Sequence, residues 1–121
     1  MLVRLPRIDF STVRPHWARS PVFAQDRNAG STVPSQVEPY LIKVMQKAKA
    51  MLPASETRLH QEIDLFIAQE GAHFRQHNLF NRRIREHYPK LADFEVELKR
   101  DLDSFLAHRS LKFNLAYSEG F

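Results

Sequence analysis

LHQEIDLFIAQEGAHFRQHNLFNRRI, Leu59 to Ile84, is the stretch on which the fold turns. Leu59, Ile63, Phe66, Glu70, His73, His77, Phe80 and Ile84 recur at steps of four and three, which sets them along one stripe of a helix turning about 100° per residue. The ends of the stripe are apolar and its middle is ionisable. Glu70, His73 and His77 fall within an arc of about 60°, on the face that carries the Leu, Ile and Phe to be buried. An unpaired buried carboxylate costs several kcal/mol, so such a group persists when it is paired, protonated or bound to a cation. Metal binding is the leading expectation for these residues. A hydrogen-bonded core cluster of the same three is the plain alternative.

The composition narrows the chemistry. The chain has 121 residues, enough for one domain with a modest core. It has no cysteine, which removes disulfides, zinc-thiolate sites and iron–sulfur clusters and leaves nitrogen and oxygen ligands. Six histidines keep that route open. The net charge of +4 suits an anionic partner, but the basic residues are dispersed. Arg82, Arg83 and Arg85 form the densest group, with no nucleic-acid-binding motif around them, and read as a solvated face. No nucleic-acid partner is expected. No apolar run reaches the ~18 to 20 residues of a membrane span, and the N-terminus interleaves Arg4 and Arg7 with Pro6 and Asp9 rather than building a secretory signal. A cytoplasmic protein is expected.

Outward from the central stretch, residues 1–34 carry Pro6, Pro15, Pro21 and Pro34 with Asn28, Gly30 and Ser31 and show no sustained period. They read as an extended arm draped over a helical body, with Trp17 buried. Residues 35–121 read as the helical part. A first helix starts near Ser35 as N-cap, tolerates Pro39 in its first turn and stops at Pro53. The second opens at Ser55 and runs to Tyr88 and Pro89, about 30 residues and 45 to 50 Å. The third stretch, from Leu91, is one long helix or two joined at Ser110. No strand-like alternation or internal repeat is seen, so the fold class is all-α.

Glu70-x-x-His73 is the spacing with which helices of ferritin-like carboxylate bundles face a pair of metal ions, and His77 adds a further nitrogen one turn on. The other helices offer Glu38, which a helix start favours on electrostatic grounds alone, and Glu119, an acid near apolar Ala116 and Phe121. Glu95, Glu97, Asp101 and Asp103 read as the solvated side of the third stretch. Gln69 and Asn81 lie beside the seam, either as partners that fix imidazole tautomers or as ordinary surface residues.

The run from Phe66 to Asn81 resembles the signature Phe-Ile-x-Gln-Glu-x-x-His-x-x-x-His-x-x-Phe-Asn of the bacterial predicted metal-dependent hydrolase family. Val37-Glu38-Pro39-Tyr40, Ala116-Tyr117-Ser118-Glu119-Gly120-Phe121 and the opening Pro6-Arg7-Ile8-Asp9-Phe10 with His16-Trp17 resemble the flanking stretches. The resemblance implies a ferritin-like helical bundle with a dinuclear metal centre, and it carries Glu38, Glu70, His73, His77 and Glu119 over as ligands. Family members are about twice as long and supply a second Glu-x-x-His from a later helix, so the bundle and site are expected to be incomplete in one chain. Either the chain is a truncated form or two copies pair, and a homodimer is the expectation.

Carboxylate and imidazole ligands suit iron first, with manganese or zinc as alternatives. A hydrolase by family resemblance and an oxygen-activating oxidoreductase by ligand chemistry both remain open, acting on a small molecule that the sequence does not identify. There is no Gly-x-Ser-x-Gly elbow and no phosphate-cradling glycine loop to supply a separate nucleophile or anion site. The rival reading is a non-catalytic helical assembly or metal-storage domain, a remnant of such an enzyme.

Overall fold

The computed structural model describes residues 3–121 as an all-α helical bundle with an N-terminal arm, and no strand occurs among the described residues. Met1 and Leu2 of the expected arm lie outside the described residues. The helices are α1 (Pro21–Thr32), α2 (Pro34–Met51), α3 (Thr57–His87), α4 (Leu91–His108) and α5 (Leu111–Ser118).

Helix α1 corrects the expectation that residues 1–34 are extended throughout. Ser20 caps it, its Oγ accepting from Phe23 N at 3.3 Å, and Pro21 occupies the first turn, where its missing N–H costs nothing. The residues it buries are Ala24, Asn28, Ser31 and Thr32. A face made of small and polar side chains has no apolar period, so periodicity gives no sign of it. Asn28 ties the arm down: its Oδ1 accepts from Trp17 Nε1 at 2.9 Å and its Nδ2 donates to Pro15 O at 2.9 Å. Trp17, expected to be buried, is 45% exposed and held by that bond and by the edge of Phe23.

α1 passes into α2 through Val33, whose backbone is itself helical. Ser35 is therefore not the expected cap; its Oγ donates to Thr32 O at 2.7 Å and satisfies a carbonyl at the end of α1. The start of α3 lies two residues past the expected Ser55, and the helix ends before Pro89 as expected. Its 31 residues span about 46 Å at 1.5 Å per residue. Ser110 does open a new helix: its Oγ accepts from Phe113 N at 3.1 Å, which resolves the third stretch into α4 and α5.

α2 is the hub and touches each of the other four helices. Val37, Tyr40 and Val44 of α2 and Leu102 of α4 form the core, walled by Leu98, Phe105 and Leu115 among others. Tyr40 donates from its hydroxyl to Asn114 Oδ1 at 2.8 Å, and Asn114 Nδ2 donates to Ser110 O at 2.9 Å, so α5 is fastened to α2 by a buried polar pair. Tyr40→Phe is expected to cost about 1 kcal/mol in urea denaturation by leaving the Asn114 carbonyl without its donor.

The arm lies along α3. Gln76 Nε2 donates to Pro6 O at 3.1 Å, an Arg83 guanidinium nitrogen donates to Ser11 O at 2.8 Å, and Phe10 meets Phe80 edge-on. The basic group of α3 is thus only partly a solvated face, because Arg85 pairs with Glu95 at 2.5 Å. Glu95, read as solvated, is 8% exposed. No helix among the described residues is long and apolar enough to cross a membrane.

Candidate metal centre

α2 and α3 pack side by side and run in opposite directions, as the contacts of Lys49 with Asp64 and of Glu38 with His73 show. That arrangement brings Glu38 of α2 against the ionisable middle of the α3 stripe. Glu70 and His73 lie three residues apart on α3, so both heads reach the same side of the helix. Donor atoms of Glu38, Glu70 and His73 all lie within 4.8 Å of one another. His77 stands outside that trio, but its Nε2 is 3.9 Å from Glu38 Oε1, the same distance at which His73 Nδ1 approaches that oxygen.

Glu38 is the buried member, 6% exposed, and its Oε2 has no hydrogen-bond partner. Burial first and the facing Glu70 carboxylate second push its pKa up to about 8. Burial, with His73 as a neighbouring ring, lowers the His77 pKa, so that imidazole tends to the neutral form a metal requires. The α3 members are less enclosed than the stripe suggests. The His73 side chain is half exposed and that of His77 is 34% exposed. The expectation that all three heads sit in the core is therefore not met: Glu70 and His77 are half-buried and His73 is exposed.

Both rings are oriented through their other nitrogens. His77 Nδ1 pairs with Ser31 Oγ at 2.7 Å, leaving Nε2 toward Glu38. His73 Nε2 accepts from Gln69 Nε2 at 2.7 Å, which leaves the ring proton on Nδ1, toward Glu38, and Gln69 Oε1 in turn accepts from Arg4 N at 3.3 Å. Gln69 thus fixes the tautomer of the metal-free ring, and a cation at His73 Nδ1 requires the amide to turn so that its oxygen accepts from Nε2. Asn81 is one shell further out: its Nδ2 donates to Ser31 O at 3.0 Å and to Glu95 Oε1 at 3.3 Å. Ser31 carries no sequence signal, because it belongs to the helix that has no apolar period. Ser31→Ala is expected to weaken divalent-metal binding about tenfold by freeing the His77 ring, measured by competition against a chromophoric chelator.

Glu119 closes α5 and is exposed; it lines the same groove as Glu38 and Glu70 without joining their cluster. The remaining histidines stand elsewhere, as with His60, which contacts Pro53 O.

This donor set fits a divalent cation. Two imidazole nitrogens stand 3.9 Å from Glu38 Oε1, the Glu70 carboxylate lies beside them, and the other Glu38 oxygen, Oε2, is buried without a partner. A 3.9 Å separation of donors is one that two ligands with bonds of about 2.0–2.2 Å can span. Neither the curated proteins nor the solved structures hold a match to the chain. A family model does match, over residues 2–121, and its description is predicted metal-dependent hydrolase. The match takes in the arm, both helices that carry the donor cluster and the end of α5. With a carboxylate and imidazole cluster inside so complete a match, the chain belongs to the predicted metal-dependent hydrolase family.

Proposed function

We propose that this protein is a metal-dependent enzyme of ferritin-like build, with Glu38, Glu70, His73, His77 and Glu119 as the ligands of a dinuclear centre. The observation that carries this reading is buried Glu38, whose Oε2 has no partner and whose Oε1 faces two imidazoles, with the Glu70 carboxylate beside them. Removing a cation from such a set leaves a buried acid that must take up a proton. Iron is the favoured metal, since hard oxygen ligands with imidazole suit it, and manganese or zinc is compatible with the same donors. When bound, such a pair of ions supplies Lewis-acid activation of water, or electron exchange with dioxygen if the metal is iron or manganese.

The chain's own residues have separable tasks. Glu38 holds the centre from the buried side, Glu70 and His73 from α3, and His77 is aimed by Ser31. The half-exposed side of His73 leaves an approach for a small-molecule substrate. One chain brings together fewer donors than a carboxylate-bridged pair of ions uses in a full four-helix site. A homodimer in which the second copy supplies further donors is therefore part of the proposal, as is the cytoplasmic location expected from the sequence.

The test is elemental analysis of protein purified without chelator, beside Glu38→Gln and His73→Ala and with light-scattering mass on each. Iron, manganese or zinc near one equivalent or more per site in the parent, lost in both variants, supports the reading. A metal-free parent that also fails to bind added Fe²⁺, Mn²⁺ or Zn²⁺ overturns it in favour of an assembly domain. Near-ultraviolet absorbance that responds to oxygen and reductant assigns the oxidoreductase branch; bound metal without that response assigns hydrolysis or storage.

A further inference from the structure

The tip of the N-terminal arm reaches the donor cluster through a single side chain. Arg4 N donates to Gln69 Oε1 at 3.3 Å, and the other end of the same amide, Gln69 Nε2, donates to His73 Nε2 at 2.7 Å. The tip is otherwise lightly held. Leu5 is 72% exposed, and a cavity of about 570 Å³ lies between residues 5–9 and Ala72, Gln76 and Leu79 of α3. Beyond it the arm is anchored by Gln76 Nε2 on Pro6 O, by Phe10 against Phe80 and by Arg83 on Ser11 O.

An amide has one donor end and one acceptor end, so Gln69 cannot serve both neighbours in both states of the ring. In the metal-free ring Nε2 accepts, which turns the Gln69 NH2 group to His73 and leaves the oxygen for Arg4. With a cation on Nδ1 that nitrogen gives up its proton to water, Nε2 takes one up, and the amide oxygen is needed at Nε2. Turned end for end, the amide sets its NH2 group against the Arg4 N–H, donor against donor. We infer that the arm tip is a strap released by metal: occupancy of His73 Nδ1 turns the Gln69 amide and frees Arg4 from α3. The arm thereby reads the loading of a centre to which it contributes no ligand. This inference rests on the metal centre proposed above. The Arg4 bond is exposed to solvent, so the coupling is modest, about fivefold in affinity. It is also reciprocal, and the docked tip weakens metal binding by the same factor.

The test is a Zn²⁺ titration of the chelator-treated full chain, with backbone amide relaxation by NMR and metal stoichiometry measured on the same samples. Order at residues 3–5 is expected to fall on saturation while Phe10 and Ser11 stay as they were. Gln69→Glu, whose carboxylate accepts from His73 and Arg4 together, should keep the tip ordered in both forms. Arg4→Pro removes the N–H, and it should bind Zn²⁺ about fivefold tighter than Arg4→Ala, which loses the same charge but keeps the N–H. A contact that merely supported the fold would move affinity the other way. Zn²⁺ uptake with unchanged order at the tip, loosening in Gln69→Glu as well, or equal affinities of the two Arg4 variants overturns the strap and leaves the metal centre standing. Failure to take up Zn²⁺ overturns the metal centre, and the strap with it.

Discussion

Glu38→Gln is expected to make the metal-free protein more stable at pH 8 while destroying its ability to hold a divalent cation. In the folded chain, burial and the Glu70 carboxylate hold the Glu38 pKa at about 8, against an ordinary value of 4.5. Between these values the unfolded chain releases a proton that the folded chain keeps, so folding loses stability as pH rises from 4.5 through about 8. A glutamine never ionises and escapes that loss. Each pH unit of displacement corresponds to about 1.4 kcal/mol, so a gain of order 2 kcal/mol or more is expected at pH 8. The two proteins should converge toward pH 4.5, since the parent is then protonated in both states. Urea midpoints at both pH values, with chelator present, measure the difference, and an equal gain at both would show that ionisation of Glu38 is not the cause.

Metal loading should reverse the order. A cation bound to the parent must displace the Glu38 proton, so uptake should strengthen as pH rises toward 8 and release a proton below it. Only the parent should then gain stability with added metal. Loss of metal affinity by about 100-fold or more is expected for the amide, which removes the charge of the most buried donor. The signature of a functional acid is this pairing, a carboxylate that costs the empty protein stability and is needed by the loaded one.

Glu95→Ala is expected to destabilise the fold by about 2 to 3 kcal/mol, as removing one partner of a largely buried pair leaves the other uncompensated. Glu95 of α4 is 8% exposed and holds Arg85 at 2.5 Å and Asn81 Nδ2 at 3.3 Å, both on α3. The Arg85 side chain is 26% exposed, so water offsets part of the loss and the figure lies below that of a fully enclosed pair. Asn81 also reaches Ser31 O, and Ser31 aims His77. The same variant should therefore weaken metal binding modestly, while Glu97→Ala on the exposed side of α4 changes neither property. Thermal melts and metal titrations of the two variants side by side make the comparison. Equal melts would show that the bridge contributes nothing to stability.

The legible part of this chain was what repeats along a helix. The stripe through Leu59, Glu70, His73, His77 and Ile84 marks the long α3, the prolines at 53 and 89 bound it, and Ser110 caps the last helix. Glu70 and His73, three residues apart on one face, do meet Glu38. What did not show was structure held by polar contacts between distant segments. α1 buries Asn28, Ser31 and Thr32, which look like loop residues, and Glu95 looks solvated until Arg85 and Asn81 of a neighbouring helix close on it.

The order of the residues determined by itself that the chain is helical and that a carboxylate and two imidazoles share one face of its longest helix, because a helix's period fixes which side chains are neighbours. Tertiary structure decided which of the acids is buried, which ring nitrogens face it, and that the outer side of His73 stays open. Burial and ring orientation depend on the surfaces that α1, α2 and the arm bring to α3, and those contacts join residues dozens of positions apart that no local spacing connects.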